Sequence, residues 1–201
     1  MAEVLVDLFE DVRDLDFAGF VENMKRDRVG VDLLGRPIHW TDDVLHMASS
    51  HRLVSGLATT LRRAWIEEMV ERGFDFLSLI HPSSVVSKRA DIGKGVIVKP
   101  MSVVTGFTRL EDHVRVGRGV MIGHHCSIGS YSTLHPGAVI SGNCTIGSQV
   151  TVGTGVVIRD GTSLGDGAFV GAGAVVTKNV PAGALVLGNP ARVKTINFGT
   201  K

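Results

Sequence analysis

One stretch of this chain carries side chains suited to proton transfer. Gly123-His124-His125-Cys126 sets two imidazoles and a thiol side by side. Histidine exchanges a proton near neutral pH and is the commonest general base. His124 stands two residues after Ile122, and Gly142 follows it by eighteen. A glycine lets a ligand approach the backbone closely, and its N–H is a donor for a developing oxyanion. A plainer reading also holds: a surface histidine capping a turn, and a glycine serving a tight corner. Lys178, Arg192 and Lys194 offer charge to a phosphorylated ligand, or form a solvated surface.

A repeat must position these groups. Every sixth residue from Val86 to Val176 is Val, Ile or Leu, sixteen in succession without an insertion. That period is the signature of a β-helix, in which each repeat is one short strand and a corner. Three hexapeptides complete one coil, so Gly142 falls one rung above His124. Cys126 and Cys144 are also eighteen apart and should stack on neighbouring rungs, about 4.8 Å apart. Both share the inward face of the aliphatic residue two places on. Their column is otherwise Ala, Val, Ser and Thr, from Ala90 to Ala174. They read as core filling, with metal binding or a disulfide as the lesser alternative.

The residue before each aliphatic position should point outward. This defines three columns. Asp91, Arg109, Ser127, Thr145 and Ser163 are polar; Ile97, Arg115, Thr133, Thr151 and Phe169 are mixed; Val85, Val103, Met121, Val139, Val157 and Val175 are wholly apolar. Six rungs of outward apolar surface are too much to leave in water. The face is expected to pack on another subunit, with threefold closure burying one stripe per interface. The C-terminal tail or the N-terminal unit could cover it instead. On the first view His124 lies at the edge of an intersubunit cleft.

Residues 1–80 differ in texture. The pattern predicts a helix over Glu3 to Asp14 and a strand over Phe17 to Val21. A short helix follows from Thr41 to Ala48 with Thr41 as its cap, then a strand over Arg52 to Ser55. A helix then runs from Thr59 or Thr60 to Arg72, stopped by Gly73, and a strand spans Phe74 to Ile80. Alternating helices and strands imply a small parallel α/β unit, joined to the coil at His81-Pro82-Ser83. It opens without the strand and Gly-rich turn that begin a doubly wound unit, so the first strand is expected to be missing.

The bounds exclude several classes. At 201 residues and net charge +1, nothing suggests nucleic acid as a partner. No apolar run reaches the length of a membrane span, and no secretory signal opens the chain, so a cytoplasmic protein is expected.

The hexapeptide run, with Gly188-Asn189-Pro190-Ala191-Arg192, resembles the hexapeptide-repeat acyltransferases. Three features narrow the resemblance: the N-terminal unit, the junction Ile80-His81-Pro82-Ser83-Ser84-Val85-Val86-Ser87, and Ile122-Gly123-His124-His125-Cys126-Ser127-Ile128-Gly129. They are similar to the sugar acetyltransferase branch containing bacillosamine-pathway and perosamine N-acetyltransferases and sialic-acid O-acetyltransferases. The resemblance implies a mainly β fold: a left-handed parallel β-helix over 81–201 behind a small α/β domain, 1–80, that binds a nucleotide-sugar. It also implies a homotrimer, acetyl-CoA held between neighbouring coils, and no metal. His124 matches the general base. His125 stands where many relatives carry an acidic residue. Gly142 matches the donor to the thioester oxygen. Thr133, Thr154 and Ala172 match contacts to the CoA arm, with Lys178 and Arg192 as further cofactor candidates. For the acceptor, Glu22-Asn23 keeps half of an acidic pair, Gly56 matches a glycine after a strand, and the Gly-rich loop has no counterpart.

The activity expected on this basis is acetyl transfer from acetyl-CoA to the amino group of a nucleotide-linked amino-sugar, by direct attack. Three rivals stay open. One is O-acetylation of a sugar or sialic acid. Another is a metal enzyme of the γ-carbonic-anhydrase type using His113, His124, His125 or His135. The last is a non-catalytic scaffold.

Overall fold

The structure, a computed structural model, describes residues 15–57 and 62–194. From Leu79–Ile80 to Val175–Val176 the chain advances in two-residue strands, one per hexapeptide. Each pairs in parallel with the strand eighteen residues away, which builds the three faces of a left-handed β-helix. The outward columns read from the sequence are the register of these faces. Val85, Val103, Met121, Val139, Val157 and Val175 lie in line on one of them. Inside, the aliphatic residues and their small neighbours form one continuous core from Val96 to Val186.

The corners impose a condition that hydrophobic spacing does not reveal. From Gly95 to Gly173 one residue in every six has a positive φ. Half of these fourteen are glycine; the others are Met101, Phe107, His113, His125, Tyr131, Asn143 and Gln149. A side chain in the left-handed region costs roughly 1–2 kcal/mol, which the stacked coil overrides. His125 occupies one of these corners.

The N-terminal unit departs from expectation in several places. Strand β1 is Phe20–Glu22, displaced toward the C-terminus. A hairpin, β2 (Asp32–Leu33) and β3 (Arg36–Trp40), was not foreseen. Its turn places Leu34 and Gly35 at φ 54 and 72, and Asp32 Oδ1 accepts the Gly35 N–H at 2.7 Å. Leucine is a poor advertisement for such a turn. The sheet, in order β1-β3-β2, is therefore mixed rather than parallel. Thr41 is not a cap. It is the first residue of a 3-10 helix, Thr41–Met47, and its hydroxyl donates to the Glu22 carbonyl at 3.1 Å. Strand β4 is Arg52–Leu53, and helix α1 covers Arg62–Glu71, ended by Gly73 at φ 94. The expected strand over 74–80 divides into β5, Asp75–Phe76, which pairs with β4, and Leu79–Ile80, the first strand of the coil. The expected helix at 3–14 and the start of the helix at 59–60 lie outside the described residues.

Two buried arginines dock this unit onto the mixed face of the coil. Arg62 of α1 donates to Thr133 Oγ1 at 2.9 Å and to the carbonyls of His113 (2.7 Å), Tyr131 (2.9 Å) and Ser132 (3.2 Å). Arg115 of the coil reaches back to the carbonyls of Ser55, at 2.9 Å, and Leu57. Burial, and then the neighbouring Arg115 charge, push Arg62 down to about 9; burial alone takes Arg115 to about 10. Truncating either would leave buried carbonyls without donors.

Candidate active site

His124 and His125 occupy the corner that ends the apolar face. Both are exposed, and their Nδ1 atoms lie 3.1 Å apart. One of the two nitrogens must carry a proton and the other accept it. When His124 Nδ1 donates, its Nε2 keeps a free lone pair, the state a base requires. His125 stacks on Phe107 (centroids 4.9 Å apart), one rung below it, and the Arg89 guanidinium lies 6.0 Å from the same Phe107 ring. The imidazole pair is therefore braced from the rung beneath.

Gly142 sits above His124, where any side chain would press on the imidazole. A Cβ there would lie 2.8 Å from His124 Cε1, 2.9 Å from its Nε2 and 3.0 Å from Asp160 Oδ1. Gly142 is buried beneath these groups. Its carbonyl accepts from the Gly161 N–H at 3.0 Å, while its own N–H meets no backbone carbonyl among the described residues. This leaves the N–H able to donate to a bound group, as at other corners of the coil. Asp160 is a site residue the sequence reading missed. The signal was there: it follows Gly142 by eighteen, and Lys178 follows Asp160 by eighteen. Lys178 thus stands three rungs above His124, about 14 Å along the coil.

The expected CoA contacts divide. Thr154 and Ala172 stack, exposed, at the other edge of the apolar face. Arg192 lies near them, because Leu187, its strand partner, packs over Gly171. Thr133 does not join them: it is 5% exposed under α1, and its hydroxyl accepts from Arg62. Its side chain serves packing between the two units. One hexapeptide separates the two edges, at most about 20 Å of extended chain.

The acceptor candidates come together in a cleft of about 1480 Å³ between the N-terminal unit and the coil. Glu22, Asn23 and Gly56 line it with His135, Thr151 and Phe169. The Glu22 carboxylate is partly occupied by its own turn, accepting from Met24 N (2.8 Å), Asn23 N (3.0 Å) and Arg28 (3.3 Å). Desolvation raises its pKa, but these bonds outweigh it and hold the carboxyl below its usual value. Arg115 grips the carbonyls on either side of Gly56. His135 is pushed down by burial and then by the Arg115 and Lys99 charges. His124 is not on the cleft wall.

Of the four histidines considered for a metal, His113 lies apart. It is packed between Phe76 and Tyr131. Among the described residues no three His, Cys, Asp or Glu side chains are placed to hold a metal ion. Cys126 and Cys144 are buried free thiols, donating to the carbonyls of Ser141 (3.1 Å) and Arg159 (3.3 Å). Coupling to Cys144, together with burial, holds the Cys126 thiol above its ordinary range, which disfavours the nucleophilic thiolate.

Residues 107–142 and 143–178 each match the bacterial transferase hexapeptide (six repeats) family. The acetyltransferase domain of PglB from Neisseria gonorrhoeae, solved with acetyl coenzyme A, shares 31% identity. The match covers 96% of this chain and 93% of that one, with a TM-score of 0.88. The chain belongs to the bacterial hexapeptide-repeat transferases. Other members are similar over all or part of their length. A histidine-to-asparagine variant of perosamine N-acetyltransferase from Caulobacter crescentus, solved with CoA and GDP-perosamine, is 26% identical. It covers 97% of this transferase and 92% of its own chain, with a TM-score of 0.89. The GDP-perosamine N-acetyltransferase of Escherichia coli O157:H7 is 36% identical over 77 residues, 38% of this chain and 35% of that relative's length.

Proposed function

We propose that this transferase moves the acetyl group of acetyl-CoA to the amino group of a nucleotide-linked amino-sugar in the cytoplasm, as a ring of three copies. One observation carries this reading. The imidazole corner and the Thr154–Ala172 corner, with the acceptor cleft beside it, flank opposite edges of the apolar stripe. Pairing that stripe between copies brings the base of one chain to the cleft and donor edge of the next. The similarity to perosamine and PglB acetyltransferases supports both substrates.

In the proposed reaction the 4- or equivalent amine attacks the thioester carbon, forming a C–N bond. His124 Nε2 takes the amine proton, with Nδ1–H held by His125. The N–H of Gly142 receives the oxyanion. The C–S bond then breaks and the proton passes to the departing thiolate. No acyl-enzyme is needed, and positioning of two substrates supplies much of the rate. Residues 1–80 serve the acceptor and 81–201 the donor.

The test is acetyl transfer by mass spectrometry over a panel of nucleotide-linked amino-sugars, with His124→Asn alongside. The expected loss in kcat is about 10²- to 10⁴-fold, with acetyl-CoA affinity unchanged. Wild-type turnover in the variant would remove His124 from the mechanism.

A further inference from the structure

Asp160 lies over the same glycine as His124, and the described proton transfer does not use it. Its Oδ1 and His124 Nε2 approach within 3.0 and 2.9 Å of one point above Gly142, so they are less than about 6 Å apart. That point is where a Gly142 Cβ would stand, so a ligand amine bridging the two must sit farther out from the backbone. The carboxylate is exposed, and Oδ1, the oxygen nearest the gap, also accepts from Asn143 Nδ2 at 3.3 Å. A carboxylate has about four acceptor sites, so capacity remains toward the gap.

We infer that Asp160 contacts the acceptor and selects an amine over a hydroxyl. This deepens the proposed function and rests on it. In the tautomer the proposed reaction uses, with His124 Nδ1–H donating across the 3.1 Å contact to His125, both groups facing the gap are acceptors. An amine has two N–H groups: one bonds Nε2, the other Oδ1, and the lone pair is left for the thioester carbon. A hydroxyl has a single O–H. Given to His124, it leaves its oxygen lone pairs facing Asp160; given to Asp160, it leaves the base idle. The proton still goes to His124 and then to the CoA thiolate, and Asp160 takes no part in its transfer.

The experiment compares wild type, Asp160→Ala and Asp160→Asn in the full chain. GDP-perosamine and UDP- and dTDP-linked 4-amino-6-deoxy sugars serve as amines, with the matching 4-hydroxy sugars as alcohols. Loss of a bond to a charged acceptor should lower kcat/KM for the amine about 10- to 100-fold, chiefly through KM. Transfer to the alcohol should be unchanged or increased, and acetyl-CoA affinity unchanged. Asp160→Asn, which keeps the shape, should move the amine-to-alcohol ratio in the same direction and decides the matter if the alanine variant does not fold. An unchanged ratio in active variants would overturn the role of Asp160 and leave the function standing. A wild type inert toward every amine would overturn the function itself.

Discussion

Gly142→Ala adds one methyl group at the point where His124 and Asp160 converge. The backbone accepts it, since Gly142 is not among the positive-φ residues. The atoms it strikes are side-chain ends: His124 Cε1 at 2.8 Å, Nε2 at 2.9 Å and Asp160 Oδ1 at 3.0 Å. Ordinary contact is about 3.5–4.0 Å, so the imidazole must withdraw by nearly 1 Å. A displacement of that size costs about a hundredfold in rate, or about 2.7 kcal/mol of barrier. Both side chains are exposed and can shift outward, so stability should change by under about 1 kcal/mol. Gly123→Ala is the contrast. Its methyl meets Gly142 N at 2.6 Å and Ser141 C at 2.7 Å, backbone atoms that cannot yield, so it should damage the coil itself. The assay is release of CoA thiol under saturating acetyl-CoA, with thermal melts of each variant. A Gly142→Ala enzyme with kcat within a few-fold of wild type would refute the placement of the base across Gly142.

Val139→Glu puts a carboxylate in the middle of the apolar stripe, at a cost of several kcal/mol per subunit once buried; light scattering should report dissociation, and an intact trimer would reject this interface. Cys126→Ser replaces a buried thiol with a smaller donor to the Ser141 carbonyl, so kcat should stay within about threefold while the melt falls slightly; lost turnover in a folded protein would give the thiol a chemical role. His113 is 7% exposed, and burial holds its pKa below the ordinary 6.5, with Asp112 and Glu67 opposing and Arg62 reinforcing the shift. The unfolded chain therefore takes up a proton first: this contribution is complete above about pH 6.5 and is lost as pH falls toward the folded value. His113→Asn, which suits the φ of 60, should flatten the drop in melting temperature between pH 7.5 and 5, with His135 leaving a residue of the effect. Equal slopes for both proteins would contradict this.

Much of the coil was legible in the chain because its information is one-dimensional. A period of six selects which side chains face inward, and eighteen residues return the chain to the same face. The three outward columns, the buried cysteines and the stacking of Gly142 on His124 all follow from counting. Counting also reached Asp160, but its meaning did not, because spacing says nothing about where a carboxylate points. The N-terminal unit was less legible. Leu34 turns a hairpin in a conformation that leucine disfavours, Thr41 bonds across to β1 instead of capping, and the run from Phe74 to Ile80 divides between two sheets. Each is decided by partners distant in sequence. The same holds for Arg62 and Arg115, polar residues whose burial between the two units no local pattern announces. Composition and period determined the prism and its greasy face. Tertiary contact alone decided that the cleft between the two units lies at one edge of that face and the imidazoles at the other, because only folding brings groups sixty or more residues apart onto a common surface.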